Sequence, residues 1–161
     1  MFETIAAGFL CLAMNVYHEA KNQPFDGQVA VAQVVLNRVE DERYPNSICE
    51  VVEQGPVYES WKTRNDPAKD AIYWPVKNRC QFSWYCDGKS DKIYDQDAWK
   101  NAMMAAAIAN SSRAEDITLG ATHYHATYVK PEWASTKRKT TQIGDHIFYV
   151  WELSCQSGYN H

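Results

Sequence analysis

The stretch "NVYHEAKNQPFDGQ" sets one carboxylic acid, Glu19, at the joint between two apolar runs. Near the C-terminal end of a helix a carboxylate faces the negative pole of the macrodipole, which costs an exposed acid about 0.3–1 kcal/mol. Packing between apolar helices would also strip away its water, and both effects favour the protonated form. A carboxyl group that keeps its proton near neutrality is suited to general-acid work, such as protonating the leaving oxygen of a glycosidic bond. The rival reading is a solvated acid paired with Lys21 or Arg38, and spacing alone leaves both open.

Two further stretches carry chemistry. In "CQFSWYCDG" (80–88), Gln81 and Ser83 offer neutral hydrogen-bonding groups, while Phe82, Trp84 and Tyr85 offer flat faces of the kind that stack on sugar rings. An extended backbone would put Gln81 and Ser83 on one side and Phe82 and Trp84 on the other. The alternative for these rings is a small aromatic core. In "GATHYHATYVKPEW" (120–133), His123 and His125 flank Tyr124. An H-x-H pair can ligate a metal if His18, His146 or a cysteine completes the set, but no HExxH or spaced Cys/His pattern accompanies it, so no metal or other cofactor is expected. Tyr124 reads as a hydroxyl aimed into a polar cleft, or as a core ring with its OH satisfied. A second catalytic acid does not stand out, because Asp26, Asp87 and Asp145 all sit in turn contexts with capping explanations.

The elements that must position these groups follow from periodicity. Phe2, Ile5, Ala6, Phe9, Leu12, Ala13, Val16 and Tyr17 recur at helical steps, predicting a helix over about 3–20 that Asn22 and Pro24 stop. Val29, Ala32, Val35, Leu36 and Val39 predict a second helix over about 25–39, with Val31 and Val34 widening its apolar arc as in a central, enclosed helix. Ser47 and Glu50 form a capping box for a short helix over 47–54. Asp66 and Pro67 offer a start for a helix carrying Ala71 and Ile72, which Pro75 should end. The run 95–112 is again helical, with Asp95 or Asp97 as cap, a face of Trp99, Ala102, Met103, Ala106 and Ile108 or Ala109, and alanines that predict close packing. Beyond Gly120, "ATHYHATYV" and "HIFYVWEL" alternate as strands do. Together these predict one mainly helical α+β domain over 1–161.

Composition bounds the function. With 45% hydrophobic and 22% charged residues the chain is of ordinary globular type, and 13% aromatics exceed what a core of this size needs, which points to a ring-lined groove. A net charge of −4 disfavours a nucleic acid partner, and the locally basic "STKRKTTQ" (135–142) reads as a solvated loop. Five cysteines without CxxC spacing indicate no disulfide framework; Cys11 reads as a buried thiol, and Cys80 and Cys86 are near enough in sequence to pair. The N-terminal run has an acid at position 3 and its first lysine at 21, which fits neither a secretory leader nor a membrane-spanning helix. The expectation is a chain folded in a cytoplasm, with no stable membrane insertion, that another component must release.

At "YHEA", "GQVAVAQVVLNRV", "QFSW", "GATHYH" and "IGDHIFY", in that order over about 10–150, the chain resembles the SleB-type cell wall hydrolases, which include spore-cortex-lytic enzymes and phage endolysins. The resemblance implies a lysozyme-like fold of the lytic transglycosylase kind, action on the MurNAc–GlcNAc linkage of peptidoglycan glycan strands, and one catalytic acid at Glu19. Gln81, Phe82, Ser83, Trp84, Tyr124, His123 and His146 would bind the strand. The family more usually has a glycine or small polar residue where this chain has His18, and "PVYESWKTRNDPAKDAIYWPVK" (56–77) has an insertion-like character. A bare catalytic domain without a leader reads as a phage endolysin. Two rivals from other classes are a zinc amidase or peptidase built on His123, His125 and His146, and a non-catalytic wall-binding module.

Overall fold

The apolar runs on either side of Pro24 fold as helices α1 (Ile5–Ala20) and α2 (Phe25–Glu40) in a computed structural model that describes residues 3–153. Thr4 Oγ1 starts α1 by accepting the Ala7 amide at 3.1 Å, and Pro24, which cannot prolong α1, stands at the N-cap of α2. Residues 27–35 of α2 are buried without a break, so the helix is enclosed as its wide apolar arc predicts. Val29, Ala32 and Val35 join a core with Leu12, Val16 and Tyr17 of α1, whereas Ala30 and Val34 face the sheet through Phe148. Helix α3 (Ile48–Val52) starts on the expected box, with Ser47 Oγ donating to the Glu50 carboxylate at 3.0 Å. Helix α4 (Gln96–Ala109) is capped by Asp95 and packs Ala102, Ala105, Ala106 and Ala109 against α1 and α2. Ile5 and Ala6, expected on the buried face of α1, are exposed, and of the alternatives Ile108 and Ala109 on α4 it is Ala109 that is buried. Phe2 lies outside the described residues.

Two disulfides correct the cysteine reading. Cys11 is bonded to Cys49, tying α1 to α3, and Cys80 is bonded to Cys86. The first bridge spans 38 residues and arises only from the packing of α3 on α1, which spacing along the chain does not reveal. Replacing Cys11 and Cys49 together by alanine is expected to lower the unfolding free energy by about 2–4 kcal/mol, checked by denaturant melts. Cys155 lies outside the described residues.

The helix expected around Ala71 and Ile72 does not form. Instead β1 (Val57–Glu59) and β2 (Tyr73–Pro75) pair antiparallel. Ser60 N–H donates to the Ile72 carbonyl at 2.7 Å and Ile72 N–H to Thr63 Oγ1 at 3.2 Å, drawing Ile72 into an extended connection. Asp66 caps only a turn, through the Ala68 amide, and so short a segment cannot offset helix nucleation.

The C-terminal segment forms a three-stranded antiparallel sheet in the order β3 (His123–Ala126), β5 (His146–Val150), β4 (Arg138–Ile143). Most of the basic run read as a loop is therefore the edge strand β4, where the exposed Arg138 and Lys139 discourage pairing with another chain. Gly144, at φ +56°, and Asp145 make the two-residue β4–β5 turn. A Cβ on Gly144 would come within 2.5 Å of Gln23 Oε1, the atom that accepts the Asp145 amide at 2.9 Å. The hairpin tip is thereby locked onto the α1–α2 joint, a few residues from Glu19. No helix among the described residues is long and apolar enough to cross a membrane.

Candidate active site

Glu19 is the penultimate residue of α1, held there by the stop that precedes Pro24. Part of its surface stays open to solvent although protein surrounds most of the carboxyl group. Tyr124 donates its hydroxyl to Glu19 Oε2 at 2.9 Å. Burial pushes the Glu19 carboxyl above its ordinary 4.5, against the lowering effects of the Tyr124 hydrogen bond and the nearby Arg38 cation. The Tyr124 phenol is pushed well above the tyrosine range, first by burial and then by Glu19. The pair thus shares a hydrogen bond in which Tyr124 keeps its proton and Glu19 holds its own more tightly than in water.

Polar residues on α2 set this geometry. Gln33 brackets the loop before β3, donating to the Glu115 carbonyl at 2.8 Å and accepting from the Ile117 amide at 3.0 Å. Asn37 donates to Asp116 and to the Ala121 carbonyl, each at 2.9 Å, and Arg38 Nε donates to the Thr122 carbonyl at 2.7 Å. These bonds deliver β3 to the end of α1 in one register, so that Tyr124 meets Glu19. Arg38 is buried, its guanidinium 5.2 Å from both the Tyr44 and Phe82 ring centres. Sequence alone does not single out Gln33 or Asn37, and it offers Arg38 only as a partner for the acid. Their signal was three polar side chains inside a helix whose apolar arc leaves little polar face.

The strand alternation sorts the histidines. Tyr124, Ala126, His146 and Phe148 share the face turned to the helices, and His146 lies 4.8 Å from Tyr124 between ring centres. Burial lowers the His146 pKa, leaving a neutral imidazole beside the tyrosine. His123 and His125 stand on the opposite face, both packed on Trp133. His123 is held down to about 4 by burial, then by the Arg38, Lys137 and Arg43 cations. His125 is engaged with the Tyr149 hydroxyl at 2.9 Å. His123 therefore does not share the strand face of Tyr124 and His146, because one residue along a strand reverses the side chain.

The stretch 80–88 lies against the Glu19 end of α1 but is not extended: residues Ser83–Cys86 form a 3-10 turn. Phe82 is 3% exposed and belongs to the helical core, which corrects its expected role as a sugar platform. Trp84 remains half-buried, donates Nε1–H to Asn15 Oδ1 at 2.9 Å and stacks on His18 with ring centres 4.5 Å apart. Gln81 and Ser83 are exposed, and their side chains make no hydrogen bond among the described residues. His18 is turned toward Trp84 and Asp91, its pKa lowered by burial against the raising effect of Asp91. Asp87 and Asp145 lie in turns as expected and accept hydrogen bonds from the Lys89 amide and the Gln23 side chain, whereas Asp26 stands in the first turn of α2 and accepts from the Gly27 amide. Hollows of about 550 and 880 Å³, beside Asp41–Trp151 and Thr4–Ser47, are lined by other residues than Glu19.

A sequence model of the cell wall hydrolase family matches residues 22–149. The chain belongs to that family. The match begins just past Glu19, so the acid itself rests on the geometry above. Similar curated proteins within this SleB-type family are the spore cortex-lytic enzymes of Oceanobacillus iheyensis, 34% identical over 143 residues, and of Bacillus cereus, 36% identical over 143 residues. Each alignment covers 85% of this chain but only 39% and 42% of those proteins, so the chain spans about two fifths of their length. The solved catalytic domain of the germination-specific lytic transglycosylase SleB from Bacillus anthracis is similar with a TM-score of 0.61 and 26% identity, over 89% of this chain and 93% of that one. The Bacillus cereus SleB catalytic domain gives a TM-score of 0.60 at 24% identity, a likeness of fold. The chain has the lysozyme-like, mainly helical α+β fold of the lytic transglycosylase type.

Proposed function

We propose that this cell wall hydrolase is a lytic transglycosylase that cleaves the MurNAc–GlcNAc linkage of peptidoglycan, with Glu19 as its catalytic acid. The observation that carries the reading is the partly accessible, desolvated Glu19 carboxyl with Tyr124 bonded to Oε2, which leaves Oε1 to present a proton. The family membership and the likeness to the Bacillus anthracis domain, a germination-specific lytic transglycosylase, support it.

In the first step Glu19 gives its proton to the bridging oxygen as the bond to the muramyl C1 breaks, leaving an oxocarbenium-like sugar. Glu19, now a carboxylate steadied by Tyr124 and Arg38, takes the proton of the muramyl 6-hydroxyl as that oxygen bonds to C1. The ring closes as a 1,6-anhydro sugar, and the acid is regenerated with no water consumed. One carboxyl group serves both halves, which accords with the engagement of Asp26, Asp87 and Asp145 elsewhere. Trp84, half-buried on His18 beside Glu19, is proposed to contact the glycan with the exposed Gln81 and Ser83 at its edge, while the buried His146 packs on Tyr124 and holds its ring toward Glu19.

Purified murein separates this reading from a zinc amidase. Release of soluble sugar fragments is expected to proceed equally with and without EDTA; inhibition by the chelator, or new amino ends in place of new sugar ends, would contradict it. The strand faces bear on the rival as well, since His146 points away from His123 and His125 and the three cannot converge on one ion. Two settings use the same chemistry. The relatives' names favour spore cortex breakdown, and the endolysin expectation favours lysis of a vegetative wall. Digestion rates on isolated cortex and on vegetative murein, measured side by side, decide between them.

A further inference from the structure

The insertion-like stretch 56–77, which the chemistry of Glu19 leaves unused, turns large rings outward. Trp61 is 77% exposed, Trp74 53% and Tyr58 50%. Tyr58 and Trp74 are partners in the β1–β2 ladder and together line two hollows, of about 260 Å³ with Trp61 and Lys62 and about 290 Å³ with Lys77, Tyr85 and Lys89. Exposed rings of this size in one patch mark a surface that another molecule covers.

Charge and position identify that molecule. Both hollows carry lysines and no carboxylate, in a chain whose net charge is −4. Lys77 is laid across Gly88, where φ is +81° and a Cβ would come within 2.9 Å of Lys77 Cε, so the turn leaves room for the lysine stem beside the hollow. The patch is also continuous with the candidate active site. Tyr85 lies 6.0 Å from Trp84 between ring centres, and Trp84 stacks on His18, the neighbour of Glu19. A polymer laid along this path would meet aromatic faces first and ammonium groups at their margin.

We infer that the 56–77 hairpin is a second binding surface for the peptidoglycan strand, remote from the scissile bond, which takes sugar faces on Tyr58, Trp61 and Trp74 and stem-peptide carboxylates on Lys62, Lys77 and Lys89. The apolar C–H faces of pyranose rings match exposed aromatics, and the carboxylates of stem peptides match lysines that have no acid beside them in the hollows. The choice of ligand rests on the reading of Glu19 given above.

The test is sedimentation of the full chain with insoluble purified murein, in a Glu19→Gln background so that the polymer is not consumed. Trp61→Ala combined with Trp74→Ala is expected to weaken sedimentation about tenfold with the far-ultraviolet circular dichroism unchanged. Lys77→Glu combined with Lys89→Glu, both exposed positions, should weaken it as well, most strongly at low ionic strength. Should the tryptophan pair unfold, the lysine pair decides. Sedimentation matching that of the background protein in a folded variant pair overturns the proposal. Loss of affinity in the variants upholds the surface whether or not the unaltered chain cleaves glycan, and absence of cleavage by the unaltered chain sinks the Glu19 reading alone.

Discussion

Glu19→Gln should yield a folded protein whose release of fragments from murein falls by about 10³-fold or more, because the amide keeps the shape and the Tyr124 contact while removing the only proton placed to leave. Stability should move the other way. Burial raises the Glu19 pKa above its unfolded value, so the folded chain binds that proton more tightly. Between 4.5 and the folded value, stability therefore falls as pH rises, and the loss is complete above that window. Glutamine has no such dependence. Thermal melts of the variant should exceed those of the parent above the folded pKa of Glu19 and converge with them below 4.5. Equal cleavage by the two proteins would remove Glu19 from the reaction.

Tyr124→Phe carries the second largest expected effect, a loss of about 10²-fold in kcat, since the hydroxyl steadies the carboxylate formed once the proton has gone. The pH profile gives a readout that a merely structural role would not move. The acid acts while protonated, so the rate falls as pH rises through the Glu19 pKa. The Tyr124 bond lowers that pKa, and its removal should shift this alkaline limb upward. An unshifted limb with full kcat would show that the two groups are not coupled in the reaction.

The helices and their joint were legible in the sequence because each rests on local rules. Periodicity marks Leu12, Val16, Val29 and Val35 as core, Asn22 and Pro24 mark the stop, Ser47 marks the start of α3, and the choice of Asp95 or Asp97 for α4 falls to Asp95. The placement of Glu19 against the macrodipole was local too, and its raised pKa follows from the same burial that periodicity predicts. What escaped depends on contacts between distant segments. The Cys11–Cys49 bridge needs α3 folded back on α1, and the β1–β2 ladder outweighs a weak helical start at Asp66. Gln33, Asn37 and Arg38 are ordinary helix residues until the loop 115–122 lies across them. Phe82 and Trp84 were indistinguishable as rings, and only packing sends one into the core and leaves the other half-buried beside His18.

The sharpest trial of the Glu19 mechanism is the mass of the sugar fragments released from purified murein by the unaltered chain and by Glu19→Gln. Ring closure by the muramyl 6-hydroxyl predicts fragments from the unaltered chain whose muramyl ends are lighter by one water than reducing ends, and none from the variant. Fragments from the unaltered chain carrying only reducing ends, or anhydro ends formed equally by the variant, would contradict the account.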